Sequence, residues 1–231
     1  MNVLSCNGLS KRYGRVIALD EVSFDVLPGR IVGLLGPNGS GKTTLIKLIN
    51  GLLSPDGGSI YICGNAPGKE SHAMVSYLPE RSAMPAWMSA AQLLDFYQDF
   101  YADFRRDAAE EMLNHLNIQP QQRIKEMSKG TREKLQLIMV MSRKAKLYLL
   151  DEPIGGVDPA TRDYILSTII SNYDPEASVI ISTHLISDVE KILDDVVFID
   201  KGKIVLRFTV DELREEKGMS VDAVFREVFK C

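Results

Sequence analysis

The chain has 231 residues with a formal net charge of −4, and its 45% hydrophobic and 25% charged residues match a globular protein with one large core. The acidic balance argues against a nucleic-acid partner, and no apolar run approaches the ~20 residues that a membrane span needs. Three widely spaced cysteines (Cys6, Cys63 and Cys231) form no metal or disulfide pattern and favour a reducing cytosol.

The first residues predict antiparallel strands. A short strand is expected over Val3 to Cys6, and the polar segment from Leu9 to Gly14 is interpreted as a turn that carries one aromatic residue, Tyr13. The loose alternation of apolar residues over Val16 to Val26 is typical of half-buried strands. We therefore expect an N-terminal antiparallel β-subdomain.

The next segment, Gly36-Pro37-Asn38-Gly39-Ser40-Gly41-Lys42-Thr43-Thr44, fits the glycine-rich phosphate loop G-x-x-x-x-G-K-[ST]. An apolar run precedes it and helical spacing follows, which is the context such a loop requires. Glycines let backbone N–H groups surround an anion, and the helix adds its positive dipole end. Lys42 is expected to reach the β- and γ-phosphates, and Thr43 to ligate Mg²⁺. The alternative is a chance match in a turn.

A helical block follows a strand predicted over Val75 to Leu78. From Ser89 to about Ala145 the apolar period is helical, and one predicted helix face carries Leu93, Tyr97, Phe100, Tyr101 and Phe104. We interpret this face as core or interface packing, with cofactor stacking as the alternative. Ser128 can cap a later helix whose middle is apolar. The prediction is a single domain in which residues 1–86 and 146–231 form an α/β core and 87–145 an inserted helical subdomain.

A second strand of the core ends in two acidic residues. The apolar run from Leu147 to Leu150 is typical of a central parallel strand and leads into Asp151 and Glu152. Asp151 is expected to hold Mg²⁺, and Glu152 to orient an attacking water and accept its proton. Capping or surface carboxylates are the alternatives. His184 follows another predicted strand at the edge where ligands bind, although a structural role is the commoner one for a histidine there.

Together these residues resemble the nucleotide-binding subunits of ABC transporters over nearly the whole chain. Gly36–Thr44 is similar to the Walker A loop, and Leu147–Asp151 with Glu152 to the Walker B strand and its catalytic carboxylate. The resemblance implies a P-loop NTPase (RecA-like) core in which Tyr13 stacks on adenine and His184 is the switch histidine. It also places Asp158, in a D-loop-like segment, at a dimer boundary.

Two positions depart from that family pattern. The signature, commonly LSGGQ, is here Met127-Ser128-Lys129-Gly130-Thr131. Ser128 and Gly130 can still present a hydroxyl and a helix N-terminus to a partner's γ-phosphate. The contacts of the residues that Lys129 and Thr131 replace cannot be carried over, although the added cation of Lys129 could itself attract phosphate. Glu80 stands where glutamine is usual, and its carboxylate can still ligate Mg²⁺ or hold water. We expect ATPase activity to survive both changes.

The resemblance implies an ATP- and Mg²⁺-dependent ATPase subunit that pairs head to tail with an identical or paralogous subunit. Its signature and Asp151–Asp158 segment resemble exporter-type ATPases for antibiotics, peptides or drugs. A separate integral membrane permease would hold it at the cytoplasmic face of the cell membrane, with no nucleic acid involved. Glu80, Lys129 and Thr131 keep a second hypothesis open, an ATP-dependent regulatory switch with little hydrolysis. A ribosome- or DNA-acting ABC protein is disfavoured by the single cassette.

Overall fold

The computed structural model describes residues 2–82 and 84–229, so Cys231 lies outside the described residues. The strands are β1 (Leu4–Tyr13), β2 (Val16–Val26), β3 (Ile31–Leu35), β4 (Gly57–Ile62), β5 (Val75–Leu78), β6 (Leu147–Asp151), β7 (Ser178–Thr183), β8 (Asp195–Asp200) and β9 (Lys203–Thr209). The helices are α1 (Lys42–Ile49), α2 (Lys69–Met74), α3 (Ala90–Phe100), α4 (Arg106–His115), α5 (Lys129–Met141), α6 (Pro159–Asn172), α7 (Ile186–Val189), α8 (Val210–Lys217) and α9 (Val221–Phe229). A short 3₁₀ turn covers Ile124–Glu126.

The strands form two sheets. A three-stranded antiparallel sheet has the order β2-β1-β4, and a six-stranded sheet has the order β5-β6-β7-β3-β8-β9. Strands β5, β6, β7, β3 and β8 are parallel, and β9 is antiparallel to β8. Both β3 and β6 are buried along their whole length, as expected for parallel strands that are covered on both faces. The predicted α/β fold with an N-terminal antiparallel sheet is confirmed.

Three hydrophobic cores hold these layers together. One lies between the two sheets and includes α1, and a second covers the other face of the large sheet beneath α6, α7 and α9. The third lies among α3, α4 and α5 and is built from residues between 88 and 139. This separate core supports an inserted helical subdomain, whose boundaries at 87 and 145 stay a prediction. No helix in the described part of the chain is long and apolar enough to cross a bilayer.

Strand β1 is longer than predicted, and the turn assigned to residues 9–14 is wrong. The strand pairs with β2 as far as Tyr13 opposite Val16, so only Gly14 and Arg15 form the turn. The polar residues of this segment satisfy their backbone groups in the ladder, and those at its end, Arg12 and Tyr13, are exposed. Tyr13 therefore lies at the tip of a hairpin, where its side chain is 47% exposed.

The single aromatic face predicted for the first inserted helix is also wrong. Helix α3 ends at Phe100, and the chain then turns so that Tyr97 and Phe104 pack with their ring centroids 5.6 Å apart. Phe100 is 68% exposed and stacks on Phe96 at 4.4 Å. The apolar residues keep a helical spacing beyond Phe100, but the backbone leaves the helix at that residue.

A buried arginine fastens the helical segment to the large sheet. The side chain of Arg143, only 4% exposed, donates two hydrogen bonds to the carboxylate of Asp103, at 3.0 and 3.1 Å. It also donates to the carbonyl oxygens of Val75 at the start of β5 and of Ala73 in α2, and lies 3.9 Å from the ring centre of Tyr101. These contacts fix the segment after α3 against the strand that leads to Glu80.

We expect Arg143→Ala to lower the free energy of unfolding by about 3 kcal/mol, because it leaves a partly buried carboxylate and two carbonyl groups unpaired. Urea denaturation followed by circular dichroism measures this loss. Lys144→Ala is the control: its side chain is exposed, so a change within about 0.5 kcal/mol is expected. A loss below about 1 kcal/mol for Arg143→Ala would show that the network is not a structural anchor.

Candidate functional site

The loop between β3 and α1 forms a hollow lined by backbone. Gly39 and Gly41 have φ values of +79° and +113°, a region that residues with a Cβ rarely adopt. A Cβ on Gly41 would also lie 2.7 Å from the carbonyl oxygen of Ala18, so this position requires glycine. Because α1 starts directly after Gly41, its first N–H groups point into the hollow and can bind an anion.

The remaining loop residues surround this hollow. The backbone N–H of Ser40 donates to the carbonyl oxygen of Pro37 at 3.2 Å, and Asn38 lines the adjoining cleft. The Ser40 hydroxyl is buried without a hydrogen-bond partner among the described residues. Thr44 lies in the first turn of α1 and is half-buried. The predicted phosphate-loop residues thus lie together in the turn between β3 and α1.

Lys42 lies inside the hollow. Its ammonium donates to the carbonyl oxygens of Gly36 at 2.8 Å and Pro37 at 3.2 Å, and its side chain is 6% exposed. Burial lowers the pKa of Lys42 below its usual value, and the nearby carboxylates of Glu152 and Asp151 oppose that shift. A phosphate group could replace the two carbonyl partners and compensate the buried charge.

Asp151 lies at the end of β6 with one free oxygen. Its Oδ1 accepts hydrogen bonds from Thr43 Oγ1 at 3.2 Å and from Ser182 Oγ at 2.5 Å. Its Oδ2 is buried and has no partner within the described ranges. Burial raises the pKa of Asp151 above its ordinary value, and the two hydroxyl donors oppose this.

This donor set fits Mg²⁺, which prefers oxygen ligands and usually takes one or two carboxylates together with substrate phosphates. Thr43 and Asp151 would hold the ion beside the phosphate loop. No group of three or more His, Cys, Asp or Glu residues in ranges 2–82 and 84–229 is arranged to hold a metal ion alone. Phosphate and water oxygens would therefore complete the coordination.

Glu152 follows Asp151 in a constrained backbone conformation. Its φ is +51°, which is unusual for a residue other than glycine, and its N–H donates to the carbonyl oxygen of Ser182 at 2.9 Å. The carboxylate accepts a hydrogen bond from Thr183 Oγ1 at 3.1 Å, and His184 Nδ1 lies 3.1 Å from both carboxylate oxygens. A Glu152 oxygen is also 4.0 Å from the ammonium of Lys42. The strained backbone therefore holds the carboxylate beside the phosphate loop.

A cleft of about 660 Å³ opens from this point towards the helical subdomain. Glu80, Lys129, Asp151, Glu152 and His184 all line it, so the structure brings these five predicted site residues to one cavity. Glu80 is exposed on the wall that follows β5. Lys129 lines the cleft from the start of α5.

The signature-like segment begins α5 at the rim of this cleft. The Ser128 hydroxyl caps the helix by accepting the N–H of Thr131 at 3.1 Å, which confirms the predicted cap. Gly130 has open space where a side chain would be. The ammonium of Lys129 pairs with Glu133 one turn later at 3.6 Å and remains 70% exposed. The helix start therefore faces outwards and is accessible to another molecule.

Tyr13 and Asp158 do not line the cleft. The hairpin that carries Tyr13 lies against the phosphate loop, because Ala18 of the same hairpin contacts Gly41. Asp158 caps α6 by accepting hydrogen bonds from the backbone N–H and hydroxyl of Thr161, and these bonds lower its pKa. The adenine and dimer-interface roles of these two residues stay predictions.

Ser182 and Thr183 belong to the site although no sequence pattern predicts it. Their hydroxyls bind Asp151 and Glu152, and both lie at the end of β7, which pairs with β6 in parallel so that Ser182 is opposite Asp151. The available signal was a pair of polar residues at the carboxyl end of an apolar run. Only the order of strands in the sheet shows which carboxylates they contact.

The site combines a glycine-rich loop around a buried lysine with a buried aspartate that has one unpaired oxygen. These features define a P-loop nucleoside triphosphatase. The sequence profile of the ABC transporter family matches residues 19–155, more than half of the chain. The chain belongs to this family, as an ATP-binding domain whose members generally hydrolyse ATP.

Individual relatives agree with this assignment. The chain is 33% identical over 224 residues to an uncharacterized ABC transporter ATP-binding protein, YxlF, of Bacillus subtilis strain 168, covering 95% of this chain and 75% of the relative. It is 30% identical over 233 residues to the daunorubicin resistance ATP-binding protein DrrA3 of Streptomyces coeruleorubidus, covering 97% and 74%. A solved ATP-binding subunit of an ABC transporter superimposes with a TM-score of 0.89 at 27% identity, covering 98% and 99%.

Asp151→Asn is expected to stabilise the nucleotide-free, Mg²⁺-free protein at pH 7 by about 1–2 kcal/mol, since it removes a buried charge with one unpaired oxygen. The raised pKa of Asp151 means that ionisation opposes folding above the unfolded pKa. The wild type should therefore gain stability on the variant as the pH falls through the folded pKa of Asp151 towards its lower unfolded value, and the difference should be constant at higher pH.

Chemical denaturation in EDTA at several pH values measures this difference. The exposed Asp163→Asn serves as the control and should leave the stability within about 0.5 kcal/mol. The same titration with Mg-ATP should show a smaller ligand-induced stabilisation for Asp151→Asn than for the wild type. A destabilised, pH-independent Asp151→Asn would contradict the assignment.

Proposed function

We propose that this chain is the ATP-hydrolysing subunit of an ABC exporter. The observation that carries the proposal is the Glu152 carboxylate, which Thr183 and His184 hold 4.0 Å from the buried ammonium of Lys42. A carboxylate fixed beside a phosphate loop can orient a water molecule for attack on the γ-phosphate and accept its proton. Hydrolysis is therefore favoured over mere binding.

Each site residue would have a distinct role in binding or hydrolysing ATP. The glycine-rich loop and the start of α1 bind the phosphates through backbone N–H groups, and Lys42 adds a positive charge. Thr43 and Asp151 would hold Mg²⁺, which neutralises charge on the phosphates when bound. Glu152 would accept the proton of the attacking water, and His184 would hold the Glu152 carboxylate and contact the γ-phosphate. Glu80 would hold a further water or the ion from the wall that follows β5.

A second subunit, identical or paralogous, would complete each ATP site. The outward-facing start of α5 at Ser128, Lys129 and Gly130 supports this, since it can present a hydroxyl, an ammonium and N–H groups to a partner's nucleotide. Asp158, exposed at the start of α6, would lie at the boundary between the two subunits. A twofold head-to-tail arrangement would make both sites equivalent.

Integral membrane permease subunits would be the other partners. Exposed aromatic side chains on the helical segment support a protein contact there, namely Trp87 at 66%, Phe100 at 68% and Phe96 at 38% exposure. Within the predicted class of antibiotics, peptides and drugs, the likeness to DrrA3, which is named for daunorubicin resistance, favours an antibiotic or a drug as the exported substrate. The chain would then lie on the cytoplasmic face of the cell membrane.

Glu152→Gln should reduce steady-state ATP hydrolysis at least ~100-fold, because the amide cannot accept the proton. It should retain Mg-ATP binding and accumulate as an ATP-bound dimer in size-exclusion chromatography with light scattering. Glu227→Gln, an exposed substitution on α9, is the matched control. Unchanged turnover in Glu152→Gln removes this residue from catalysis, whereas a wild type that dimerises with ATP but releases no phosphate favours the regulatory switch.

Tyr13→Ala should weaken ATP binding about 5- to 10-fold, since a stacked ring contributes about 1–1.5 kcal/mol. Tyr61 offers a matched control: it is 44% exposed on β4 of the same sheet, and Tyr61→Ala should leave the Kd unchanged. Fluorescent ATP titration gives both constants. Equal constants for Tyr13→Ala and the wild type would exclude base stacking on Tyr13.

A further inference from the structure

Arg162 joins the segment that follows Glu152 to the helix that follows His184. It lies in the first turn of α6, and its Nη1 donates to Asp188 Oδ2 in α7 at 2.8 Å. Its Nε donates to the carbonyl oxygen of Val157 at 3.2 Å. The Arg162 guanidinium thus contacts both the segment that precedes α6 and the neighbouring helix α7.

The segment from Glu152 to α6 and the segment from Thr183 to α7 are therefore connected at both ends. At the site, the Glu152 carboxylate contacts Thr183 and His184. At the far end, the connection is the Arg162–Asp188 ion pair. Between them the first segment contains two adjacent glycines, 155 and 156, and so has little stiffness of its own. Ile165 of α6 shares a hydrophobic core with α7, and the ion pair adds a direct polar connection between α6 and the segment that carries His184.

Helix α7 is held by two kinds of contact, apolar packing against the core and the ion pair with Arg162. Ile186 and Val189 are 2% and 0% exposed and fix the helix to the core, whereas the side chain of His184 is 45% exposed. The side chains of Arg162 and Asp188 are 29% and 33% exposed, so their pair contributes little to stability. Its effect falls instead on where α7, and with it His184, lies relative to α6.

We propose that Arg162 is a positioning residue that keeps His184 against Glu152 and carries movements of the Asp158 end of α6 to that contact. The kinetic part of this inference rests on the proposed ATPase function. Because Asp158 is exposed and caps α6, a subunit that docks there would act on α6 first. Arg162, four residues later, transmits the displacement to α7 through Asp188.

Steady-state kinetics with Arg162→Gln and His184→Ala, alone and combined, test this path. We expect Arg162→Gln to lower kcat about tenfold with KM for ATP within about twofold. In the His184→Ala background it should cause no further loss, because the residue acts through His184. The proposal would be overturned if Arg162→Gln left kcat of the otherwise wild-type protein unchanged. It would also be overturned if Arg162→Gln lowered kcat by the full tenfold in the His184→Ala background.

Two further variants separate positioning from a general structural role. Asp188→Asn should reproduce the loss of kcat, and the double variant with Arg162→Gln should be no slower than either single variant. Arg226→Gln is the matched control, since Arg226 pairs with Asp222 at 2.8 Å on α9, and it should leave kcat unchanged. Thermal midpoints should stay within about 3 °C of the wild type, and a larger drop with a proportional loss in every background would contradict the proposal.

A spectroscopic measurement decides the geometry without turnover. The chain has three histidines, so the ring Cε1–H signal that disappears in His184→Ala identifies His184. At one fixed pH and without nucleotide, Arg162→Gln and Asp188→Asn should move this signal, and Arg226→Gln should not. An unmoved signal overturns the inference even if the protein hydrolyses ATP. A wild type without ATPase activity refutes the proposed function instead, while a moved signal still supports the positioning role.

Discussion

The Asp151 carboxylate lies almost fully out of water, and only one of its oxygens is hydrogen-bonded within the described residues. A buried ammonium, that of Lys42, lies in the neighbouring hollow and is held by carbonyl oxygens. Removing both charges from water is costly, and the protein's own contacts compensate only part of that cost. A triphosphate with a divalent cation would supply the missing partner of each. The rest of the fold serves to keep these two charges in place.

The parallel sheet makes this arrangement possible. Residues 43, 151 and 183 are far apart in the chain, yet β3, β6 and β7 are neighbours and end at the same edge. Buried branched side chains fix the register, so Ser182 must lie opposite Asp151. Arg143 holds the other end of β5 and β6, which keeps the strand leading to Glu80 from shifting. Site geometry here depends on core packing at both ends of the strands.

Local signals explain what the sequence could predict. The phosphate loop and the acidic end of β6 follow from short patterns of glycine, lysine, apolar and acidic residues, and the structure has both elements where they were expected. The hydroxyls of Ser182 and Thr183 carry no such pattern, because their partners come from another strand. The ion pair of Arg162 depends in the same way on two separate helices. For Tyr13, polar composition suggested a turn, whereas pairing with β2 decides its conformation.

The two charged departures from the family pattern have opposite signs. This helps to decide whether the protein hydrolyses ATP or only binds it as a regulatory switch. Glu80 adds a negative charge near the Asp151 carboxylate, while Lys129 adds a positive charge at the start of α5. In the proposed head-to-tail dimer, each nucleotide would meet Glu80 from its own subunit and Lys129 from the other. The sum of charges around each triphosphate would then equal that of the usual glutamine and glycine pair. An unchanged net charge around the triphosphate lets the anionic nucleotide bind as it does beside the usual residues, and so favours a working ATPase over a switch that only binds ATP.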